Sequence, residues 1–252
     1  MKTAITALIT AMLLSTTCAV ARPLNFATDS FPPFYYEEEG KTQGMQYELS
    51  QIIFRKMNTK FKITFAPWKR ALLMAKSGKV DGVFGLRKTE ERQQWMIFPN
   101  EPLMNVYTVL FKRADDPFEF NGISSLEGKN IGIIKGYTYG TEFDKSILFS
   151  KEEVANLSQN FLKLHAGRVD LVAGYRTVGR YMLKKMNLMD RIVECPGKIN
   201  VSPLYIGFIN NPENVETCRS FSIHLKKLKE SADCKKIMRN IGIHPELVFP
   251  CK

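Results

Sequence analysis

The side chains with chemical capacity in this 252-residue chain are guanidiniums and hydroxyls more than acids and bases. Arg87 and Arg92 lie in the segment Leu86-Arg87-Lys88-Thr89-Glu90-Glu91-Arg92. A planar guanidinium donates two parallel hydrogen bonds to a carboxylate, so such a segment is suited to gripping an anion. Thr138 and Tyr139 sit in the glycine-flanked loop Gly136-Tyr137-Thr138-Tyr139-Gly140, just ahead of a helix expected from Thr141 onward. Free backbone N–H groups at a helix start attract negative charge, although a plain cap would use the same residue type as Thr138. Catalytic parts are harder to find. The three histidines, His165, His224 and His244, fall in expected helices or in the tail, and Glu48 is the best acid candidate, with capping or pairing as its competing role. No Ser-His-Asp, Cys-His or metal-ligand spacing is present in the sequence, so we expect no catalytic residues, no metal and no cofactor.

The elements that would position these groups alternate between strand and helix. Leu24 to Thr28 reads as a strand, followed by the turn Asp29-Ser30-Phe31-Pro32-Pro33-Phe34 and a polar hairpin tip at Glu37-Glu38-Glu39-Gly40. A helical stripe runs from Gly44 to Lys56, and a short strand from Lys62 to Ala66. Then the stretch GKVDGVFG at 78–85 has a near copy, GRVDLVAG, at 167–174. Each copy follows a helix, Trp68 to Lys76 in the first and one through Phe161, Leu162 and Leu164 in the second. Each helix ends at a capping glycine, Gly78 or Gly167, and leads into a buried strand expected at Val80 to Phe84 or Val169 to Ala173. Asn130 to Ile134 is a further strand. Alternating strands and helices imply mainly parallel sheets flanked by helices, and two such units imply two α/β lobes. In open α/β sheets ligands bind beyond the carboxyl ends of the strands. Gly85 and Gly174 stand at those ends, where the lack of a Cβ lets backbone approach a ligand. The segments Leu86 to Arg92 and Tyr175-Arg176-Thr177 are therefore expected to face each other across a cleft.

The totals suit an exported globular chain with a real core, at 44% hydrophobic and 24% charged residues. Residues 1–21 have the charged start, apolar run and Ala19-Val20-Ala21 ending of a secretory signal peptide, with cleavage after Ala21. Cys18 offers a lipid-anchor alternative that Thr17 before it disfavours. Removal of the leader leaves Cys195, Cys218, Cys234 and Cys251, which favours one or two disulfides in an oxidising compartment, with three pairings open. The net charge of +11 would become +10 without Lys2 (35 Lys and Arg against 25 Asp and Glu). Its lysine pairs, Lys184-Lys185, Lys226-Lys227 and Lys235-Lys236, fall at helical spacing on solvated faces, so no nucleic-acid partner is expected.

Taken in order, TDSFPPF, GMQYELSQII, WKRALLMAKSGKVDG, GLRKTEERQQW, SLEGKNIGIIKGYTYG and HAGRVDLVAG resemble the bacterial extracellular solute-binding proteins of family 3, periplasmic receptors that deliver polar amino acids to ABC importers. Each motif is weak alone; six in the right order are specific, and they cover nearly the whole chain after residue 21. The resemblance implies a type II periplasmic binding fold: lobe 1 at 22–104 plus 204–252, lobe 2 at 105–203, and two hinge strands that let the lobes close over a ligand. It implies a periplasmic monomer that captures a small carboxylate-bearing ligand for an ABC permease. A sensory module serving a membrane receptor, or a dehydratase-like enzyme on the same fold, are the alternatives.

By position, the resemblance makes Arg92 the clamp on the ligand carboxylate, with a salt bridge to Glu90 or Glu91 as its competing role. It gives Thr138 a contact to the same group, and sets Phe31 and Trp68 against the ligand's side chain, where an ordinary core tryptophan is the alternative. The expected ligand-binding set is Asp29, Phe31, Trp68, Gly85, Leu86, Arg87, Arg92, Thr138, Tyr139 and Tyr175. Two positions depart from the family. Tyr175 stands where amino-acid binders carry an Asp for the ligand ammonium, and Arg87 where a small hydroxyl residue is common. A phenol brings no charge near neutral pH, so these departures favour an organic acid, with apolar or aromatic bulk, over an ordinary amino acid. Two alternatives stay open: Arg87 pointing outward, and Asp29 supplying the missing carboxylate.

Overall fold

The structure is a computed structural model that describes residues 22–240 and Cys251. The leader expected at 1–21, with Cys18, and the tail histidine His244 lie outside the described residues.

Two βαβαβ units form the body. In the first, β1 (Leu24–Thr28), α1 (Met45–Lys56), β4 (Phe61–Phe65), α2 (Trp68–Lys76) and β5 (Gly82–Leu86) follow one another, with the small hairpin β2 (Tyr36–Glu38) and β3 (Lys41–Gln43) inserted after β1. The second repeats the plan with β8 (Asn130–Ile134), α4 (Thr141–Lys145), β9 (Ser150–Val154), α5 (Leu157–His165) and β10 (Leu171–Tyr175). Strand order is β4-β1-β5 in one and β9-β8-β10 in the other, all parallel. Two ten-residue strands run between the units, β7 (Met104–Arg113) and β12 (Asn200–Ile209). They pair with each other antiparallel over 104–108 and 200–204, after which β12 continues along β5 and β7 along β10. Short strands β6 (Met96–Ile97) and β11 (Ile192–Glu194) add to β12 and β7. The helices α3 (Glu90–Gln93), α6 (Arg176–Lys185), α7 (Pro212–Lys229) and α8 (Cys234–Asn240) complete the chain. This is a two-lobed type II binding fold, with helices packed against each half-sheet.

The copied stretch does the same mechanical work in each half. Gly78 and Gly167 both take φ near +70, the left-handed conformation that ends α2 and α5 and that glycine adopts without strain. The Asp that follows then fastens the two ends of the parallel ladder. The Asp81 carboxylate accepts the Asn25 N–H at 2.7 Å while the Asp81 N–H donates to the Asn25 carbonyl. Asp170 does the same with Asn130, at 2.7 Å and 2.8 Å. Because Val-Asp is consumed in this clasp, the strands begin two residues later than the apolar pattern suggests, at Gly82 and Leu171. Gly85 and Gly174 therefore lie inside their strands rather than at the ends.

Packing also revises the glycine argument. A Cβ on Gly85 would lie 1.7 Å from the Tyr35 hydroxyl, and one on Gly174 would press on Phe111 and Leu157 at 3.3 Å and 3.4 Å. Both positions are small because neighbouring side chains fill the space. The cysteines resolve into one bond among the described residues, Cys234–Cys251, which ties α8 to the tail; Cys195 and Cys218 are buried thiols. The lysine pairs are exposed at helix positions, as their spacing implies.

Candidate functional site

The carboxyl ends of β1, β5, β8 and β10 converge on two adjoining cavities between the halves. The inner one is lined by Asp29, Phe31, Trp68, Gly85, Leu86, Arg87, Arg92, Thr138 and Tyr175, together with Tyr35, Gly136, Tyr137 and Leu204. Its volume is about 20 Å³. The outer one, about 600 Å³, shares Asp29, Phe31, Trp68, Tyr137 and Tyr175 with it and extends between the β2 hairpin and α6.

The positive side of the inner cavity comes from one turn of chain. Thr89 caps α3 by accepting the Arg92 N–H at 3.3 Å, and this single helical turn returns Arg92 toward β5. The Arg92 Nη1 donates to the Arg87 carbonyl at 2.9 Å, and its guanidinium lies 5.6 Å from the centre of the Trp68 ring, a cation–π contact. Arg92 is only 9% exposed, and desolvation lowers its pKa from the usual arginine value. Among the described residues no carboxylate lies within 4.0 Å of either guanidinium, so the salt bridge to Glu90 or Glu91 does not form. The Arg87 Nη1 is buried without a hydrogen-bond partner, which places that side chain inward. A buried cationic donor left unmatched is costly, and an anion between the two arginines would relieve it.

Facing them are rings and one acid. The Tyr175 hydroxyl donates to the Thr138 carbonyl at 3.1 Å, and burial pushes its pKa well above the usual phenol value. Phe31 stacks on Phe34 and Tyr35 and meets Tyr175 edge-on at 5.4 Å. Asp29 is the only carboxylate lining the inner cavity among the described residues, and it accepts a hydrogen bond from the Tyr137 hydroxyl. Desolvation raises the Asp29 pKa from 3.8 to about 6, with the Tyr137 bond opposing. Trp68 Nε1 donates to the Gly136 carbonyl at 3.2 Å, a second link from the first unit to the loop of the second.

With this geometry in view, comparison with protein families matches residues 24–241 to the bacterial extracellular solute-binding proteins, family 3. The chain belongs to that family. It is similar to the probable amino-acid-binding protein YxeM of Bacillus subtilis (strain 168), 25% identical over 169 residues, a stretch that spans 64% of this chain and 62% of that protein. Among solved structures it resembles an ancestral arginine-binding protein bound to arginine (24% identity, TM-score 0.75, 87% of this chain and 98% of that one). It also resembles a histidine kinase sensor domain similar to periplasmic binding proteins (21% identity, TM-score 0.74, 88% of this chain and 96% of that one). At these identities the structural likenesses establish the fold.

Within this solute-binding protein, nine of the ten expected residues line the inner cavity, and one does not. Tyr139 turns into the apolar cluster with Phe143, where its hydroxyl accepts the Ile134 N–H at 2.8 Å; it borders only the outer cavity. Thr138 reaches the inner cavity but not from a helix start, because α4 begins at Thr141. The N–H groups of Tyr139 and Gly140 ahead of that helix are taken by Asp144, at distances from 2.9 to 3.2 Å, so they are not free for an anion. Of Tyr175-Arg176-Thr177 only Tyr175 faces the cleft, since Arg176 is drawn outward to Glu194 at 2.6 Å. Sequence reasoning missed Tyr35, Gly136, Tyr137 and Leu204. The run Phe31 to Tyr36 signals an aromatic wall, but which ring points inward depends on the turn's backbone. Glu48 is exposed on α1, and neither it nor His165 or His224 borders either cavity.

Proposed function

We propose that this protein is a periplasmic receptor that captures a small carboxylate-bearing solute between its two lobes and presents it for ABC import. In this reading lobe 1 comprises 22–104 plus 204–252 and lobe 2 comprises 105–203, and β7 and β12 flex at their crossing as the lobes close. Arg92 clamps the carboxylate, Arg87 adds a second cationic donor, and the rings of Phe31 and Trp68 flank the remainder of the solute. The observation that carries the proposal is the pair of guanidiniums at one cavity without an ion-pair partner among the described residues. Tyr175, where family members that bind amino acids hold the ammonium with an acid, points to a ligand without that ammonium. Capture rather than catalysis is supported by the inner cavity, where among the described residues the one acid, Asp29, is engaged with Tyr137 and no histidine is in the lining.

The test is a thermal-shift screen of amino acids, dicarboxylates and aromatic acids, since a ligand of the native state raises the melting temperature once its concentration exceeds Kd. A carboxylate hit is expected, abolished by Arg92→Ala and weakened by Arg87→Ala. A hit that survives Arg92→Ala, or turnover of an arogenate-like substrate, would overturn the reading.

A further inference from the structure

We infer that the solute is a carboxylate with an aromatic body, its acid group held by Arg87 and Arg92 in the inner cavity and its ring lodged in the outer one. The inference rests on the anion reading above and narrows it to a substrate class.

Size is the first observation. The inner cavity, at about 20 Å³, has room for about one water, whereas the outer, at about 600 Å³, falls inside the range of about 300–1,000 Å³ typical of small-molecule sites. An acid group alone needs only the first. Continuity is the second. Both spaces share one wall, closed by the Tyr137 hydroxyl on Asp29 and by Trp68 Nε1 on the Gly136 carbonyl. Each contact joins the first unit to the second, so a slight parting of the halves opens both contacts and merges the two spaces into one elongated site.

The lining supplies the third. Tyr36, Phe65, Tyr139, Leu157, Tyr181 and Met182 border the outer cavity. Two of the tyrosines nearest the shared wall have their hydroxyls committed within one half of the protein: Tyr139 to the Ile134 N–H and Tyr175 to the Thr138 carbonyl. They therefore offer ring surface instead of hydrogen bonds beside the shared wall, which suits an arene meeting them edge-to-face. A second acid group is also disfavoured there. Asp29 stands in the shared wall, and at the rim Lys185 is 3.8 Å from Glu38.

The experiment is calorimetric titration of the purified protein with acetate and succinate on one side, 3-phenylpropionate and indole-3-acetate on the other. The aryl acids are expected to bind about 10- to 150-fold tighter than acetate, the range that burial of one phenylalanine-sized group produces. Ser158→Phe and Ala66→Phe each place a ring in the outer cavity from opposite halves, so either one that retains a cooperative melt serves the test. Each is expected to erase the aryl advantage while the Kd for acetate and succinate stays within about twofold, since neither position lines the inner cavity. Succinate binding as tightly as the aryl acids, or an aryl advantage untouched by both variants, overturns the inference; if Arg92→Ala still abolishes all acid binding, the anion reading stands. Absence of binding by every acid overturns both.

Discussion

Asp29 carries a burial cost that titration should expose. Its carboxylate sits in the cavity wall against Tyr137, and loss of water raises its pKa from 3.8 to about 6. An acid whose pKa rises on folding binds its proton more tightly in the folded state, so ionised Asp29 destabilises the fold above pH 6 and is neutral toward it below 3.8. The distance from 3.8 to about 6, at about 1.4 kcal/mol per tenfold in proton affinity, comes to about 3 kcal/mol. Asp29 is only partly buried as a residue, so water at its edge reduces this to about 2 kcal/mol. Asn is nearly isosteric and keeps an acceptor for the Tyr137 hydroxyl while removing the charge. Asp29→Asn is therefore expected to melt about 4–8 °C above the parent at pH 8, a gain that shrinks as pH falls through 6 and vanishes near 4. Calorimetric or far-UV melting at pH 4, 5, 6, 7 and 8 measures it. A pH-independent difference, or a less stable variant at pH 8, would refute the reasoning: either the carboxylate is fully hydrated, or its bond to Tyr137 outweighs the burial.

Two further outcomes follow from the packing. Gly85→Ala combines a φ of +70 with a Cβ that would stand 1.7 Å from the Tyr35 hydroxyl, so a loss of about 2–4 kcal/mol is expected, read as a fall in melting temperature of at least about 5 °C; an unchanged melt would show that Tyr35 moves freely. Cys251→Ser opens the disulfide loop of 17 positions from Cys234, for which chain entropy gives about 3 kcal/mol; equal urea midpoints for the variant and the parent would place that loop outside the cooperative unit.

Much of the fold was legible because each half repeats the same alternation. The helix Trp68–Lys76 and the strands Leu24–Thr28 and Asn130–Ile134 stand where apolar periodicity and glycine caps put them. The two-residue shift of β5 and β10 was not legible, since apolarity marks Val80 and Val169 as strand while the Asp beside each spends its carboxylate on a backbone N–H across the ladder. The arginines were legible as a motif and as chemistry. The loop Tyr137 to Tyr139 was not: its three residues are consecutive, yet Tyr137 reaches Asp29, Thr138 lines the inner cavity and Tyr139 enters a core cluster. That division is set by Asp144 holding the N–H groups of Tyr139 and Gly140, a contact that no periodicity encodes.

The charges at the inner cavity explain why fold and family do not by themselves fix the solute. Among the described residues two guanidiniums and one carboxylate line it, and the carboxylate already accepts from Tyr137. A zwitterionic amino acid would have to share Asp29 with the Tyr137 hydroxyl, or leave its ammonium against the Tyr175 phenol, which brings no charge near neutral pH. The second choice leaves a partly buried ammonium without an ion partner, which is costly. A simple carboxylate needs no such counter-charge, and on the proposed reading it satisfies the buried Arg87 Nη1. On the proposed reading, a phenol at Tyr175 and a second guanidinium at Arg87 therefore shift the preference of this cleft from zwitterion to anion.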